Sequence, residues 1–380
     1  MKNLVITLFV TLPLFTTAQK VPCIKDGLLN AEDSISLGLG RLKGMETFTV
    51  FSPKDSNECC FNSGAVITAF KDTLYCMWQS CRKDEDALDT WVAYSKSGDN
   101  GKTWSSVQFL TVPQDSGYYT SGGWMVYNDT LTAFVNRWTN DLKDGGQTYY
   151  TTSKDGQNWS RLQIVTNDDG TPLQGVLEQD PHVISGGRII NACHFQPGLH
   201  VCPVYTDDTT GHSGWQKGRF NYTDRGQQSR ELEPSSFIKN NGDIVMLFRD
   251  QSSSYHKLAS ISSDRGKTWS EVTMTNIPDA RTKQSAGNLP DGRPFMICCP
   301  VTNKQRIPLV IMVSNDGGDT FDEAWLLRGR DEITPPRFAG KAKRMGYHYP
   351  KSFIDSDFLY VSYSDNKEDI KVTRIPLSAL

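Results

Sequence analysis

An eight-residue motif, Ser-x-Asp-x-Gly-x-Thr-aromatic, occurs three times in this chain and constrains its fold more than any other feature. The full copies and a shortened fourth copy are residues 97–104, 262–269, 314–321 and 153–159. This pattern is typical of a tight turn. In such a turn the aspartate accepts backbone N–H groups, the glycine adopts a positive φ, and the aromatic ring packs beneath. Several copies in one chain predict a repeat architecture.

The spacing of the motif is regular. Its aspartates are residues 99, 155, 264 and 316, at intervals of 56, 109 and 52 residues. The middle interval is about twice the others, which indicates a decayed copy between them. Asp207-Asp208, followed by Gly214-Trp215, stands where that copy is expected.

A second repeat runs in step with the first. It consists of a hydrophobic strand, a turn of Gly, Asp or Asn, and another hydrophobic strand, which is the sequence signal of a β-hairpin. The paired segments are residues 65–70 with 73–78, 123–127 with 130–135, 182–184 with 188–193, 235–238 with 243–248, 284–289 with 293–298, and 351–354 with 358–363. No long amphipathic helical period competes with these hairpins.

The two repeats together predict an all-β fold. Six hairpins at similar spacing account for nearly the whole chain, so we expect a six-bladed β-propeller of four-stranded antiparallel blades. A β-sandwich or a β-helix is the alternative, although the repeats of those folds are shorter or less regular. The uninterrupted repeat predicts one domain over residues 20–380.

The N-terminus has the pattern of a secretory signal peptide over residues 1–19. Lys2 precedes the apolar run 4–15, and small residues follow before Gln19. A membrane anchor is the alternative, but this run is short for a bilayer and is interrupted by Pro13. We therefore expect an exported protein without membrane insertion, located in the periplasm, at the cell surface or outside the cell.

Composition excludes several classes of function. The net charge is −3, from 40 basic and 43 acidic residues, which gives no electrostatic basis for binding nucleic acid or an anionic membrane. The cysteines number nine, and one or two disulfides are compatible with export. No zinc-site spacing and no glycine-rich phosphate loop occurs, so we expect no metal and no cofactor. The oligomeric state stays open.

The repeated turns, called Asp boxes, and the blade count resemble the sialidase (neuraminidase) superfamily over nearly the whole mature chain. Four further segments are similar to functional segments of that family: residues 78–87, 231–249, 300–306 and 347–350. The resemblance implies a glycan substrate and an active site in the central funnel. It also implies the following candidate residues: Asp84 as general acid/base, with Asp86 and Asp89 as alternatives; Tyr349 as nucleophile, in preference to Tyr347; Glu233 as the base of the tyrosine; and Arg82, Arg249 and Arg306 as substrate-binding arginines.

These residue types suit the chemistry that the resemblance implies. A phenol has a pKa near 10 and is a weak nucleophile until a neighbouring carboxylate takes its proton. A neutral tyrosine can approach an anomeric carbon that carries a carboxylate, where an anionic nucleophile would be repelled. Sialidases are the tyrosine exception among glycosidases, and arginines bind a carboxylate through two parallel hydrogen bonds.

The sequence departs from the sialidase pattern at the first clamp arginine. The family's Phe-Arg-Ile-Pro segment corresponds to Phe61-Asn62-Ser63-Gly64, which makes Asn62 the candidate substrate-binding residue at that position. The glutamate expected to hold that arginine is replaced by serine in residues 359–365. Joint loss of the arginine and its support predicts a terminal sugar other than ordinary sialic acid, either a related acidic sugar or an uncharged one.

Three functions follow from these residues. The first is a secreted exo-glycosidase that acts on terminal sugars of glycans with sialidase-like machinery. The second is a non-catalytic glycan-binding propeller, and the third is an eliminase or other glycosidase that uses His182 and His194. Trp78, Trp124 and Trp138 are candidates for stacking on a sugar ring or for core packing.

Overall fold

The computed structural model describes residues 20–139, 145–177, 181–195, 200–220 and 230–380. The predicted signal peptide, residues 1–19, lies outside the described residues. Short 3-10 helices at Arg330–Glu332 and Leu377–Ala379 are the helical elements among the described residues. The remainder consists of β-strands and their connections, as the hairpin repeats predict.

The strands form six antiparallel blades, numbered 1 to 6 in chain order. From the channel outward, blade 1 consists of Phe61–Phe70, Thr73–Cys81, Trp91–Ser97 and Gln108–Phe109; blade 2 of Tyr118–Tyr127, Thr130–Trp138, Gly146–Ser153 and Gln163–Ile164; blade 3 of Val176–Leu177 and His182–Val183, both paired with Ile189–Phe195, then His200–Thr206 and Gln216–Lys217; blade 4 of Glu231–Ile238, Ile244–Asp250, His256–Ser262 and Thr273–Pro278; blade 5 of Ser285–Asn288, Pro294–Cys298, Leu309–Val313 and Glu323–Arg328; and blade 6 of Tyr347–Ile354, Phe358–Asp365, Asp369–Pro376 and Glu46–Phe51. The predicted propeller is confirmed.

The N-terminal part of the chain closes the ring. Glu46–Phe51 is the outermost strand of blade 6 and pairs with Asp369–Pro376. Short parallel pairs lie outside the blades. Cys23–Ile24 pairs with Thr320–Phe321, and Arg219–Phe220 pairs with Thr268–Trp269. Both pairs use the aromatic end of an Asp box, so the boxes also tie neighbouring parts of the ring together.

The hydrophobic core is divided among the interfaces between neighbouring blades. A separate cluster of buried side chains fills each of the six interfaces, including the one between blades 6 and 1. Each blade is too thin to bury a core of its own, and it buries the alternating apolar faces of its strands against the next blade.

The Asp boxes have the hydrogen bonds that their sequence predicts. In the box at residues 262–269, the Asp264 carboxylate accepts from the backbone N–H of Thr268 at 2.8 Å, and Gly266 has a φ of 87°. The indole of Trp269 donates to the carbonyl of Gly266 at 3.0 Å. The decayed copy is present too, since Trp215 donates to the carbonyl of Gly211 at 2.8 Å and Asp208 accepts from Ser213.

All six predicted hairpins are present, but the inner strands of blades 1, 2, 4 and 6 begin earlier than predicted. Each of these strands contains a β-bulge near its beginning, which shifts the register of pairing. A bulge breaks the two-residue alternation, and the apolar pattern therefore identified only the part of the strand after it.

All nine cysteines lie in the described residues and are free thiols. Burial raises the pKa of the Cys298 thiol to about 12, as expected for a thiol packed inside a repeated strand. Among the described residues, no helix is long and apolar enough to cross a membrane.

Candidate active site

The sequence-predicted glutamate and tyrosine lie in two β-bulges at equivalent positions of their blades. Glu233 and Tyr349 lie in the bulges of blades 4 and 6, each directly before a proline, with φ of 50° and 54°. Gly64 lies in the equivalent bulge of blade 1, with a φ of 64°. A left-handed conformation costs a non-glycine residue free energy and marks functional positions in many proteins. These bulges re-aim the side chains of Glu233 and Tyr349 at the channel.

Glu233 and Tyr349 face one cavity of about 180 Å³ at the end of the channel where the inner strands begin. The other charged or strongly polar side chains of its wall come from blades 1, 2, 5 and 6. They are Gln79, Glu85, Asp86, Thr120, Ser121, Asn136, Lys283 and Lys351. Residues distant in sequence thus converge, as a propeller allows.

The environment of Tyr349 favours the neutral phenol. Burial, and secondly the negative charge of Glu233, raises the pKa of Tyr349, whereas Arg306 and Arg249 act in the opposite direction. The Glu233 carboxylate accepts a 2.9 Å hydrogen bond from Arg249 Nη1. Arg249 is in turn held by Gln251, which accepts from its other nitrogen at 2.9 Å. Tyr347, the alternative nucleophile, is buried and donates to the carbonyl of Gly329 at 2.7 Å.

The acidic loop that follows the second strand of blade 1 contributes Glu85 and Asp86 to the cavity wall. Burial, and secondly the charge of Glu85, raises the pKa of Asp86. Asp84 is not part of that wall, and its carboxylate accepts from the backbone N–H of Lys341 at 2.6 Å. Asp89 accepts from the backbone N–H of Arg82 at 3.1 Å. The loop therefore presents its second candidate aspartate to the cavity.

The three sequence-predicted arginines occupy different surroundings. Arg306 is 3% exposed, with its guanidinium carbon 5.1 Å from the centre of the Tyr349 ring, and Nη1 contacts His348 Nδ1 at 2.8 Å. Arg249 contacts Glu233, as described above. Neither side chain forms part of the cavity wall; both lie directly behind residues that do. Arg82 is exposed and outside the cavity wall.

Comparison with known proteins places this arrangement in a family. The sequence matches the family model described as a BNR repeat-like domain over residues 72–361, which is more than half of the chain. The chain belongs to the BNR repeat-like family. No curated protein gives a significant match to the sequence.

Solved structures with the same fold include sialidases. One named "Sialidase" is 17% identical with a TM-score of 0.67, over 94% of this chain and 35% of that one. The Hadza microbial sialidase Hz136 is 15% identical with a TM-score of 0.68, over 88% and 69% of the two chains. The intramolecular trans-sialidase from Ruminococcus gnavus, solved with oseltamivir carboxylate, is 14% identical with a TM-score of 0.64, over 87% and 97%.

These identities show a shared fold, and the expected resemblance to the sialidase propeller is confirmed. This BNR repeat-like chain spans about a third of the length of the first of these proteins, because only 35% of that chain is covered.

In this member of the BNR repeat-like family, Asn62 is committed to internal contacts. It is fully buried; Nδ2 donates to the carbonyls of Cys59 at 2.8 Å and Glu368 at 2.9 Å, and Oδ1 accepts from Trp78 at 3.0 Å and Ser80 at 2.7 Å. All the ordinary hydrogen-bonding positions of the amide are therefore used within the protein.

The histidines of the third hypothesis lie away from Tyr349. His182 lines a separate cavity of about 410 Å³ at the other end of the channel, with Ser236 Oγ 3.3 Å from its Nδ1. His194 is 7% exposed and belongs to neither cavity wall. Of the three candidate stacking tryptophans, Trp138 is part of the wall around Tyr349, and Trp78 packs in a cluster between blades. Trp124 packs between blades too and also lines the cavity that contains His182.

Sequence reasoning missed Glu85, Lys283, Lys351 and Lys367. Lys283 precedes the inner strand of blade 5 and Lys351 lies within the inner strand of blade 6, but isolated lysines carry no recognisable motif. Lys367 lies in the turn directly after residues 359–365, a segment in which the family pattern predicts a glutamate and gives no reason to expect a lysine. Among the described residues, no group of three or more His, Cys, Asp or Glu side chains is placed to hold a metal ion.

Proposed function

We propose that this protein is an exported, sialidase-like glycoside hydrolase that removes terminal sugars from glycans. One observation carries the proposal. Tyr349 and Glu233 occupy equivalent strained bulges of two different blades and face one cavity together with Asp86. Strained conformations are kept where the surrounding structure imposes them, and they cluster at active sites.

The proposed reaction has two steps. In the first, Glu233 accepts the phenol proton while the oxygen of Tyr349 bonds to the anomeric carbon, and Asp86 donates its proton to the departing glycosidic oxygen. In the second, Asp86 takes a proton from water, the water oxygen bonds to the anomeric carbon, and Tyr349 leaves and recovers its proton from Glu233. A raised pKa suits Asp86 as the acid of the first step.

The arginines support this reaction from behind the cavity wall. Arg249 orients the Glu233 carboxylate through their 2.9 Å hydrogen bond. The guanidinium of Arg306, over the ring of Tyr349, favours the phenolate character that develops as the sugar leaves. Their role as a direct clamp on a substrate anion stays a prediction, as does substrate binding by Arg82 and Asn62.

The size of the cavity favours exo-action. Drug-sized ligands occupy pockets of roughly 300 to 1,000 Å³, whereas this cavity of about 180 Å³ suits one sugar unit at a chain end. The absence of an arginine at Asn62 favours a terminal sugar other than ordinary sialic acid, acidic or uncharged.

The test is turnover of a panel of sialosides and of host and plant glycans by the purified protein. Tyr349→Phe, Glu233→Gln and Asp86→Asn should each lower kcat by roughly 10²-fold or more. Asp84→Asn is the matched control within the same loop, and it should retain activity within about threefold, since its amide oxygen can still accept from the backbone N–H of Lys341. Aryl glycosides, whose leaving groups need little protonation, should partly restore the activity of Asp86→Asn.

Three outcomes decide between the alternatives. Full activity of Tyr349→Phe removes Tyr349 from the mechanism. A larger loss in Asp84→Asn than in Asp86→Asn returns the acid/base role to Asp84. Binding of a glycan in the panel without turnover of any compound supports the non-catalytic glycan-binding propeller instead.

A further inference from the structure

A partly buried ion pair forms part of the structure around Tyr349 and has no part in the reaction proposed above. Lys367 Nζ lies 2.5 Å from Glu85 Oε1, and the two side chains are 2% and 22% exposed. The same Nζ is 5.5 Å from the ring centres of both Phe61 and Tyr349. Glu85 is part of the cavity wall, whereas Lys367 stands behind it.

The turn that carries Lys367 is strained and firmly held. Asn366 and Lys367 both have positive φ, 58° and 59°, in the loop between the second and third strands of blade 6. Asn366 exchanges hydrogen bonds with Gly346, since its backbone N–H donates to the Gly346 carbonyl at 2.9 Å and its Oδ1 accepts from the Gly346 N–H at 3.0 Å. A left-handed conformation is unfavourable for a lysine, so the surrounding structure imposes the backbone conformation of Lys367, and the contact with Glu85 holds its ammonium.

This turn also contacts the strand that carries Asn62. The backbone N–H of Asn62 donates to the carbonyl of Lys367 at 2.8 Å, and the Asn62 amide donates to the carbonyl of Glu368. The sialidase pattern has a cationic arginine at position 62. In this protein the cation of the turn that contacts Asn62 is Lys367, which belongs to blade 6. Its charge is directed at a carboxylate of the wall, Glu85.

The two carboxylates of the cavity wall come from one side of the cavity. Glu85 and Asp86 belong to blade 1, whereas the lysines of the wall, Lys283 and Lys351, come from blades 5 and 6. A carboxylate placed against Glu85 would meet a like charge, whereas a hydroxyl could donate a hydrogen bond to it.

We propose that Glu85, held in place by Lys367, is a specificity residue that accepts a hydrogen bond from a substrate hydroxyl and disfavours a substrate carboxylate at this side of the cavity. Lys367 is the positioning residue. This assignment rests on the proposed function, because it requires a sugar in this cavity. It deepens that function by specifying an uncharged, hydroxyl-bearing group of the sugar as the group that contacts Glu85.

The test uses binding, so that it does not depend on turnover. The probes are the methyl glycoside of N-acetylneuraminic acid and its reduced analogue, in which a hydroxymethyl group replaces the carboxylate. Dissociation constants are measured by calorimetry in the Tyr349→Phe background. Glu85→Gln should strengthen binding of the carboxylate probe and weaken binding of the hydroxymethyl probe, each by about tenfold, because one negative charge is removed and one charge-assisted acceptor is lost.

Matched variants separate this effect from general damage. Glu271→Gln changes an exposed glutamate at the opposite end of blade 4 and should leave both dissociation constants unchanged. Lys367→Met should weaken binding of the hydroxymethyl probe about fivefold, and Lys367→Arg should restore it, because a cation again holds Glu85. Thermal unfolding checks that each variant is folded.

The two proposals fail in different ways. Opposite shifts of the two probes in Glu85→Gln support the specificity assignment even if the glycan panel shows no turnover. Equal shifts of both probes, or no shift in folded protein, overturn it even if Tyr349 proves to be the nucleophile. Failure of both probes to bind the Tyr349→Phe protein and the wild type also overturns it, since no sugar then occupies the cavity.

Discussion

Buried carboxyl groups in this protein differ in what surrounds them. Asp250 is paired with Arg230 at 2.8 Å; although burial opposes the effect, this pairing and further hydrogen bonds lower the pKa of Asp250 to about 2. Asp365 lies 3.7 Å from Arg328, too far for a hydrogen bond, and burial raises its pKa to about 6. The opposite shifts follow from the quality of the pairing, because a poorly paired buried charge is costly.

Asp365→Asn should therefore stabilise the protein at alkaline but not at acid pH. A pKa raised from 3.8 to about 6 means that the folded state holds a proton that the unfolded chain has lost. The contribution of this proton to the free energy of unfolding is fully present below pH 3.8 and is lost as the pH rises through about 6. Relative to wild type, the variant should gain up to about 3 kcal/mol above pH 6 in urea unfolding.

Asp357→Asn, an exposed change on the same hairpin, is the control and should show no such pH dependence. A free-energy difference between Asp365→Asn and wild type that is the same at pH 4 and pH 8 would contradict the assignment of the raised pKa to Asp365.

At the scale of the element, the Asp box and the β-bulge lie at opposite ends of the blade. In blade 1 the residue that begins the box, Ser97, pairs with Leu74 near the end of the inner hairpin, whereas Phe61 pairs with Cys81 at the cavity end. The boxes therefore stabilise the blades away from the cavity. The bulges determine which side chains enter the channel.

Asp264→Ala should accordingly cost stability without affecting the site. The carboxylate accepts from Ser262, from the Thr268 N–H and from the Thr268 hydroxyl. Although partial burial opposes the effect, these hydrogen bonds hold the pKa of Asp264 below its usual range. Their loss should lower the free energy of unfolding by about 1–2 kcal/mol, measured by thermal or denaturant unfolding.

Asp264→Asn should lose less, because its amide oxygen still accepts from Thr268. Ligand binding and turnover should stay at wild-type levels in both variants. A selective loss of activity with unchanged stability would show that the boxes contribute to the site.

At the scale of the whole molecule, the ring is closed by one strand from the N-terminal part of the chain. Glu46–Phe51 completes blade 6, and Thr47 lies opposite Thr373 with their hydroxyl oxygens 2.8 Å apart. This contact joins residues separated by 326 positions in the sequence. Closure of so long a loop carries a large entropic cost, so we expect the ring to open first at this pairing.

A disulfide at this closure should stabilise the fold. In Thr47→Cys/Thr373→Cys, the close side-chain approach suits the geometry of a disulfide, and oxidation should raise the free energy of unfolding by about 2–4 kcal/mol. Thermal unfolding with and without reductant measures the gain. Wild type treated in the same way controls for the nine native thiols. A disulfide that forms but leaves the transition unchanged would show that unfolding begins elsewhere.

Much of the fold could be predicted from the sequence because its signals are local. An Asp box or a hairpin turn is specified by neighbouring residues, and four boxes with six hairpins were enough to number the blades. Glu233 and Tyr349 were identified through short segments of family resemblance. The early parts of the inner strands were missed, since the bulges at Gly64, Glu233 and Tyr349 interrupt the alternation that strand prediction uses.

By themselves, the Asp-box and hairpin repeats determined that this chain is a propeller, and they put Asn62 at the position where the sialidase pattern has its first clamp arginine. The tertiary structure alone decided what surrounds Tyr349. It turned Asp86 rather than Asp84 toward the cavity, enclosed the Asn62 amide in hydrogen bonds, and brought Lys367 of blade 6 to Glu85 of blade 1. The physical reason is that loop conformations and contacts between first and last blades depend on ring closure, which no short segment of sequence encodes.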